Sequence, residues 1–413
     1  MRKFFLILIP FVLSAALSAD AQTLHRRIPQ YSFIREDHNR IQTPSGKSPD
    51  YELFLRKLDT LVVRRSGDVR IVHVGGSHVQ GGVWTQQLRR NLLSLRYGLD
   101  GGRGMVFPFA AASTNTPMGY VSTCSGTWSF SRCLKPQDGT PLGVTGMAVE
   151  TSDSTASIGI ELYERDAREW SPGFTFKSME VLGYGTSRPV AVLGRDTLDG
   201  VFTGRGYHFD LPHYTDWIKL SFKDFPGSWT LTGIYLDRPQ NGLTISEIGV
   251  NGASTGSFLN CRDFEMDMRL LNPDLVIFSI GINDIQGPEF NADRFIRNYS
   301  SLVKAVKRVN PRCAILFTSN SDSYSHHSPN RQGVDSELAF ARLATMYDAA
   351  FWDLFDIMGG LGSIASWESA GLAKADKIHF TPAGYDILGD LLFNALMESW
   401  RQQRKDGISL SHI

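Results

Sequence analysis

A serine lies directly after a short apolar run near the start of the chain. Val69 to Val74 predicts a strand, and Gly75-Gly76-Ser77-His78 follows it, just before the apolar spacing becomes helical. A serine at such a strand-to-helix turn is exposed, and the N–H groups of the helix N-terminus can stabilise an anion that develops beside it. Ser77 is therefore a candidate nucleophile. The alternative interpretation is an N-capping serine in a glycine turn.

An acid and an imidazole lie three residues apart near the other end of the chain. Asp376 precedes His379 in the segment Asp376-Lys-Ile-His379, which stands just before a predicted helix. At this spacing the carboxylate can contact the imidazole Nδ1, fix the tautomer and stabilise the imidazolium. A second pair, Asp210 and His213, has the same spacing but lies in a strand-rich region. We interpret that second pair as a turn without a catalytic role.

Two further segments carry groups that can stabilise an oxyanion. Gly252 lies in a glycine-containing stretch after the apolar run Ile245 to Ile248, and a glycine there lets a backbone N–H approach a ligand closely. Asn283 follows the apolar run that ends at Ile280, and its side-chain amide is a good donor to an oxyanion. Each of these segments, taken alone, is also compatible with an ordinary turn or helix cap.

All four segments lie where an open α/β sheet would bring them together. Strand and helix patterns alternate in residues 49–98 and again from about residue 244. Each segment falls at the C-terminal end of a predicted strand or in the loop after it, where such sheets build their active sites. The predicted elements are strands at 69–74, 245–248, 274–280, 312–318 and 350–354, and helices at 51–62, 88–95, 295–306, 335–347 and from Thr381-Pro382 onward.

The stretch between the first and second segments follows a different pattern. From about residue 105 to 240 the apolar period approaches two, and turn residues separate strand-like runs at 157–163, 190–193, 217–222 and 229–236. Short strands at regular spacing predict a β-sandwich, inserted into the α/β domain. Trp217 and Trp229 lie in these strands, where they either pack in the core or stack on sugars.

In their order and composition, the four segments resemble the blocks of the SGNH (GDSL-type) hydrolases, which are named for a Ser, a Gly, an Asn and a His. The resemblance covers about 50–104 and 241–400. The matching residues are Ser77, Gly252, Asn283 and His379, with Asp376 completing the pair.

This resemblance implies an α/β fold, in which a flavodoxin-like three-layer α/β/α hydrolase domain carries an inserted, jelly-roll-like β-sandwich. It implies ester hydrolysis with Ser77 as the nucleophile, His379 as the general base and Asp376 as the residue that orients the histidine. The backbone N–H groups of Ser77 and Gly252 and the amide of Asn283 would form the oxyanion hole. Neither a metal nor an organic cofactor is implied.

The inserted strands are also similar to one branch of that family, bacterial peptidoglycan O-acetylesterases with an inserted carbohydrate-binding-like module. Their first block often reads GDSH, whereas Gly76 replaces the aspartate here. That aspartate helps to hold the nucleophile loop but is not the triad acid, so the implied triad is retained. His78, for the acyl pocket, and Arg103, for a substrate carboxylate, are candidate substrate-binding residues; a structural role is the alternative for each.

The N-terminus has the features of an export signal. Arg2 and Lys3 give a positive start, an apolar stretch runs to Leu17, and Ala19-Asp20-Ala21 has the small-x-small pattern of a cleavage site. We expect residues 1–21 to be a cleaved signal peptide, with an uncleaved anchor as the alternative. The predicted organisation is then a linker or arm at 22–48, a hydrolase domain at 49–104 and 241–403, the inserted sandwich at 105–240, and a C-terminal tail at 404–413.

Composition and cysteine content narrow the classes of protein to which this chain can belong. The 413 residues include 42 Lys+Arg and 42 Asp+Glu, so the chain lacks the basic surplus that is typical of a nucleic-acid binder. No apolar run after the first 21 residues reaches the roughly 18 residues of a membrane helix. Cys124 and Cys133 are close enough in sequence to bridge in an oxidising compartment. Cys313 is expected to be a buried thiol, and Cys261 has no obvious partner.

We therefore expect an exported serine esterase, periplasmic or secreted, that removes O-acetyl groups from peptidoglycan or another polysaccharide. Its partner is the acetylated glycan substrate, and neither nucleic acid binding nor stable membrane insertion is expected. Two other functions stay open at this point. One is a glycan-binding or envelope-assembly protein with a degenerate hydrolase site, and the other is an O-acetyltransferase that uses the same triad.

Overall fold

The computed structural model describes residues 25–46, 48–137, 139–163 and 175–410. The predicted signal peptide at 1–21 lies outside the described residues. The helices are α1 (Pro49–Arg64), α2 (Ser77–Gln80), α3 (Val83–Leu93), α4 (Phe264–Leu271), α5 (Ile282–Ile285), α6 (Ala292–Val309), α7 (Gln332–Met346), α8 (Leu354–Ile357), α9 (Ile364–Ser369) and α10 (Pro382–Leu410). Short 3₁₀ helices lie at Glu36–His38 and Ser257–Asn260.

The strands fall into three groups along the chain. The first group is β1 (Ile41–Gln42) and β2 (Val69–Gly75). The second group is β3 (Gly104–Val106), β4 (Val121–Ser125), β5 (Ser129–Arg132), β6 (Met147–Thr151), β7 (Ser157–Glu161), β8 (Phe176–Gly185), β9 (Arg188–Leu193), β10 (Asp196–Asp199), β11 (Val201–Phe202), β12 (Gly206–Thr215), β13 (Trp217–Lys223) and β14 (Trp229–Asp237). The third group is β15 (Leu243–Gly249), β16 (Leu275–Ser279), β17 (Ala314–Thr318), β18 (Tyr324–Ser325), β19 (Ser328–Pro329) and β20 (Ala350–Trp352).

A six-stranded sheet forms the centre of the α/β part, in the order β1-β20-β17-β16-β2-β15. The five strands from β20 to β15 are parallel, and β1 pairs antiparallel at the edge. The helix α10 contacts both α1 and α3, and α4, α6 and α7 form a second connected group. Both groups contact the sheet, which gives the predicted three-layer α/β/α architecture.

The central strands form where the sequence predicts them, because parallel strands are buried on both faces and need apolar side chains throughout. Leu275 to Phe278 of β16 are all buried. The flanking helices also start and stop at recognisable residues. Asn291 accepts a hydrogen bond from the backbone N–H of Arg294 at the start of α6, and that helix ends at Val309, before Asn310-Pro311.

The inserted region consists of two antiparallel sheets. One has the strand order β10-β9-β13-β7-β4, and the other has the order β11-β12-β8-β14-β6-β5, with β3 beside β14. Apolar side chains from both sheets belong to one buried core, among them Ile158, Ile160, Leu220, Val149, Val181 and Leu231. The two antiparallel sheets fit the predicted inserted β-sandwich. Trp229 is buried in it, whereas Trp217 is 46% exposed, so the two tryptophans have different environments.

Two sequence predictions about individual segments are wrong. Asp210 and His213 lie inside β12, at a register irregularity, rather than in a turn. The predicted tail from residue 404 continues α10 as far as Leu410. The described part of the predicted linker or arm packs on the rest of the protein, since Ile28 is buried and β1 extends the sheet.

The structure does not pair Cys124 with Cys133, a bridge that the sequence left open. Cys124 is exposed on β4, whereas Cys133 is buried and lies next to Cys261. Since β4 and β5 belong to different sheets, closeness in sequence did not bring these two thiols together. Within the described ranges, no helix is both long and apolar enough to cross a bilayer.

Candidate active site

The Ser77 side chain lies at the first position of α2, one residue beyond Gly76 and the end of β2. Its Oγ is 2.9 Å from Nε2 of His379, although 302 positions separate the two residues in the chain. Ser77 is half-buried, and the His379 side chain is 33% exposed. The hydroxyl and the imidazole are thus within hydrogen-bonding distance at a site that solvent can reach.

Asp376 holds the other side of the His379 ring. Its Oδ2 is 2.8 Å from Nδ1 of His379, and its Oδ1 accepts hydrogen bonds from the backbone N–H groups of Ile378 and His379, each at 2.9 Å. Partial burial raises the pKa of Asp376, but these hydrogen bonds outweigh burial and hold the pKa below its usual value. An ionised carboxylate at Nδ1 leaves Nε2 as the nitrogen that faces Ser77.

The two predicted oxyanion donors follow the strands on either side of β2. Gly252 lies in the loop after β15 with φ +80°, a left-handed conformation that favours glycine. Asn283 lies on α5, directly after β16, and its Nδ2 donates a hydrogen bond of 2.9 Å to the carbonyl of Ala253. A primary amide has two hydrogens, so this bond orients the group and leaves a second hydrogen for a ligand.

Two side chains that sequence reasoning missed hold these loops. The carboxylate of Asp284 accepts hydrogen bonds from both the backbone N–H (2.9 Å) and the hydroxyl (2.6 Å) of Thr255. Gln80, at the end of α2, accepts a bond of 2.6 Å from the backbone N–H of Asn251. The position of Asp284 next to Asn283 in sequence could have indicated its role in the site. No sequence feature indicated a role for Gln80, because only the fold brings it to the loop after β15.

Gly76 stands where the resemblance would place an aspartate. Its φ is −94°, outside the left-handed region that favours glycine. A Cβ added here would meet the carbonyl of Ala253 and the amide nitrogen of Asn283, both at 3.4 Å, which is ordinary van der Waals contact. Neither lack of space nor a positive φ therefore requires glycine at this position.

Arg103 does not bind substrate, contrary to the sequence prediction. Its side chain is fully buried and forms an ion pair with Glu247 on β15. The guanidinium also lies 5.3 Å from the ring centre of Tyr120, in the inserted region. Arg103 thus connects the insert to the central sheet, and the glycine-rich loop around it gave no sequence signal of that burial.

His78 also lies in the protein rather than in the open cleft. Its Nδ1 is 2.8 Å from the hydroxyl of Tyr385, and its ring centre is 5.2 Å from that of His379. Burial lowers the pKa of His78 to about 3, and the nearby His379 lowers it as well, so the ring is neutral. His78 also lines a small cavity with Ile282 and Phe380, so its contribution to an acyl pocket stays a prediction.

The inserted sandwich reaches the site at two points. Leu134 follows β5, and its Cδ2 is 2.9 Å from the position that a Cβ on Gly252 would occupy. Asn115 accepts a hydrogen bond of 2.8 Å from Nδ2 of Asn251. A cavity of about 20 Å³ lies beside the site, and its lining includes His78, Ile282 and Phe380. Among the described residues, no group of three or more His, Cys, Asp or Glu side chains has a metal-binding arrangement.

The second half of the chain matches a known enzyme family. Residues 229–387 match the GDSL-like lipase/acylhydrolase family, and this segment contains Gly252, Asn283, Asp376 and His379. The chain contains a GDSL-like acylhydrolase domain. It is by class a carboxylic ester hydrolase. Ser77 precedes the matched segment, because the inserted strands interrupt the GDSL-like domain between β2 and β15.

The fold of the whole chain is similar to that of a solved peptidoglycan O-acetylesterase. The two chains are 20% identical, the alignment covers 88% of this chain and 99% of the other, and the TM-score is 0.71. At this identity the likeness establishes the fold, which is that of an SGNH hydrolase. No curated protein sequence matches the chain significantly.

Two other solved structures are similar over a smaller part of the chain. An acetylxylan esterase from Geobacillus stearothermophilus is 19% identical over 38% of this chain and 73% of its own, with a TM-score of 0.31. A lipase/acylhydrolase from Enterococcus faecalis is 16% identical over 39% and 78%, with a TM-score of 0.30. Scores this low reflect the partial coverage, and neither likeness carries an argument about this chain.

Proposed function

We propose that the protein is an exported serine esterase that removes O-acetyl groups from a polysaccharide, with peptidoglycan as the first candidate. The observation that carries the proposal is the chain of contacts from Ser77 through His379 to Asp376, with distances of 2.9 and 2.8 Å. These side chains lie at the C-terminal ends of the parallel strands, beside the proposed oxyanion donors Gly252 and Asn283. It provides a nucleophile, a base and an orienting acid in one site.

The proposed reaction begins when Oγ of Ser77 attacks the acetyl carbonyl carbon and transfers its proton to Nε2 of His379. The Asp376 carboxylate at Nδ1 stabilises the imidazolium that forms. His379 then donates the proton to the departing sugar oxygen, which leaves an acetyl group on Ser77. Water, deprotonated by His379, attacks the acetyl-enzyme and releases acetate and free Ser77.

Negative charge develops on the carbonyl oxygen in both steps. The backbone N–H groups of Ser77 and Gly252 and the second amide hydrogen of Asn283 are the proposed donors to that oxygen. The side chains of Asp284 and Gln80 hold the loops that carry these donors, so that little reorganisation is needed as charge develops. Preorganised donors of this kind account for a large part of catalysis in acyl transfer.

The exposure of the site supports a large substrate. Asp376 is 44% exposed and His379 is 33% exposed, so the reacting groups lie close to the surface. A polymer can approach such a site without entering a deep pocket.

The likeness in fold to a peptidoglycan O-acetylesterase supports the choice of first substrate. That likeness spans 88% of this chain, which is more than the α/β part contributes alone. The intact arrangement of the three catalytic side chains favours an enzyme over a binding protein with a degenerate site. Export follows from the sequence of residues 1–21 and is part of the proposal.

The decisive experiment measures acetate release by the purified protein from O-acetylated peptidoglycan and from acetylated xylan, with Ser77→Ala as the matched inactive variant. We expect release from peptidoglycan that the variant lacks. Release from xylan alone would overturn the substrate. No release from either glycan and no turnover of a chromogenic acetate ester would overturn the esterase proposal. Acetyl transfer to an added glycan, in place of free acetate, would identify a transferase.

A further inference from the structure

Two buried thiols meet where the inserted sandwich contacts the loop that carries Gly252. Cys133 directly follows β5 and is 0% exposed, and Cys261 follows the 3₁₀ helix at Ser257–Asn260 and is 5% exposed. The two side chains are neighbours, since Cys133 is the main cause of the raised pKa of the Cys261 thiol. They come from two separate parts of the chain, one from the insert and one from the GDSL-like domain.

Backbone contacts hold these two thiols in place. The Nδ2 of Asn260 donates a hydrogen bond of 2.8 Å to the carbonyl of Cys133, which joins the residue before one thiol to the backbone of the other. The N–H of Cys133 donates to the carbonyl of Gly146 at 2.8 Å, and the N–H of Cys261 donates to Phe258 at 3.1 Å. The pair is therefore positioned by the fold and is not a chance contact of mobile surface side chains.

We propose that Cys133 and Cys261 form a disulfide when the protein folds in an oxidising compartment, and that this bond fastens the insert to the oxyanion-hole loop. The adjacent residue, Leu134, faces Gly252, so the bond fixes the part of the insert that forms a wall of the site. The proposal rests on the proposed export for the place where the bond forms. It does not depend on which ester the enzyme cleaves.

The oxidation balances with a thiol–disulfide oxidoreductase as the oxidant. One cysteine thiolate attacks the disulfide of the oxidoreductase and forms a mixed disulfide, and the second cysteine displaces the oxidoreductase and closes the Cys133–Cys261 bond. Two S–H bonds are lost, one S–S bond forms, and the two electrons and two protons leave with the reduced dithiol of the oxidoreductase. Burial of both thiols, together with the raised pKa of Cys261, makes this exchange slow once folding is complete. The bond therefore forms during folding.

The bond should stabilise the protein, because it closes a loop of more than a hundred residues between positions 133 and 261. A cross-link removes conformations from the unfolded chain, and the effect grows with loop length. We expect the midpoint of thermal unfolding to fall by about 5–10 °C when the bond is absent.

The test compares the protein produced in an oxidising bacterial periplasm with the same protein produced in a reducing cytoplasm. Each preparation is denatured with an alkylating agent present, digested with trypsin without reduction, and examined by mass spectrometry. The four cysteines fall on four different tryptic peptides, because Arg132, Arg205 and Arg262 separate them. We expect the peptides of Cys133 and Cys261 to be joined in the periplasmic protein and alkylated in the cytoplasmic one.

The outcomes are separable from those of the esterase assay, since no readout uses activity. Alkylation of both thiols in the periplasmic protein, or a bond between Cys124 and Cys133, would overturn the proposal. Cys124→Ala is the matched control, because this exposed thiol lies outside the pair. It should keep both the linked peptide and the higher unfolding midpoint, whereas Cys133→Ala should lose both. If Cys133→Ala does not fold, the peptide map of the unmodified protein decides alone.

Discussion

For single residues, the proposed triad implies that Ser77, His379 and Asp376 act as one unit, because each contact depends on the next. We predict that Ser77→Ala lowers kcat by about 10⁶-fold, that His379→Ala has a similar effect, and that the double variant loses little more. Asp376→Asn should lose roughly 10⁴-fold, because an amide at Nδ1 favours the wrong tautomer. The measurement is the hydrolysis of a chromogenic acetate ester by folded variants with unchanged circular dichroism.

The exposed His213 provides the control for this series. It belongs to the second acid–histidine pair, which lies on β12 in the insert. His213→Ala should keep wild-type kcat. If His213→Ala abolished hydrolysis while His379→Ala did not, the assignment of the catalytic histidine would be wrong.

Two neighbouring glycines at the nucleophile turn should respond differently to a methyl group. A Cβ on Gly76 meets only ordinary contacts at 3.4 Å, so we predict that Gly76→Ala keeps stability and leaves kcat within about threefold. A Cβ on Gly75 would lie 2.3 Å from Cγ2 of Val79 and 2.9 Å from the carbonyl of Ser279, which forces the turn to move. Gly75→Ala should therefore lower the unfolding midpoint and lose most activity. Thermal unfolding and ester hydrolysis of both variants check this, and equal behaviour would contradict it.

At the scale of elements, the site depends on three neighbouring parallel strands. The order β16-β2-β15 places the C-terminal ends of these strands side by side, so the residues that follow them meet at one edge of the sheet. His73 on β2 ties these elements together below the site. Its Nδ1 is 2.9 Å from the hydroxyl of Thr85 on α3, and its Nε2 is 2.8 Å from the hydroxyl of Ser279.

We predict that His73 makes the protein less stable in acid. Burial lowers the pKa of His73 to about 3, against 6.5 for the ordinary side chain, so the unfolded chain binds an extra proton between these values. Stability is therefore complete above about pH 6.5 and falls by about 1.4 kcal/mol per pH unit as the pH drops towards 3. His73→Gln should remove that part of the slope in urea titrations between pH 6.5 and 4.5. His213→Gln, at an exposed position, should keep the wild-type slope. The prediction is refuted if His73→Gln keeps the wild-type slope as well.

At the scale of the whole molecule, a buried ion pair connects the insert to the hydrolase sheet. Arg103 and Glu247 have side chains that are 0% and 2% exposed. We predict that Arg103→Ala destabilises the protein by about 3–5 kcal/mol, because it leaves a buried carboxylate without its partner. The folded fraction should keep the wild-type KM for peptidoglycan, since the side chain does not reach the substrate.

The double variant Arg103→Met with Glu247→Leu is the matched control for this prediction. Replacing both charges with apolar groups of similar size removes the unpaired charge, so the double variant should unfold at a higher denaturant concentration than Arg103→Ala. Denaturant unfolding of the wild type, Arg103→Ala and the double variant measures the three stabilities. If Arg103→Ala instead raised KM several-fold at unchanged stability, the substrate-binding role from the sequence would be restored.

Local sequence signals were enough to predict the α/β architecture and to nominate candidate residues for the site. Apolar runs and turn residues predicted strands such as β16 and helices such as α6, and the spacing of two predicted a sandwich in the insert. The candidate residues Ser77, Asn283 and His379 were recognisable because each stands directly after a strand or before a helix. Local sequence carries that information, since backbone periodicity and capping are properties of a few adjacent residues.

Tertiary structure alone decided which distant side chains meet and which are buried. The glycine-rich loop made Arg103 resemble an exposed ligand, but its ion pair with Glu247 on β15 spans 144 positions. Cys133 was nearer in sequence to Cys124, yet it lies next to Cys261. The sequence did not predict that Gln80 holds the loop after β15, because its partner Asn251 lies 171 positions away. Contacts of this kind depend on how whole elements pack, and no periodicity within a short segment records which element will lie opposite.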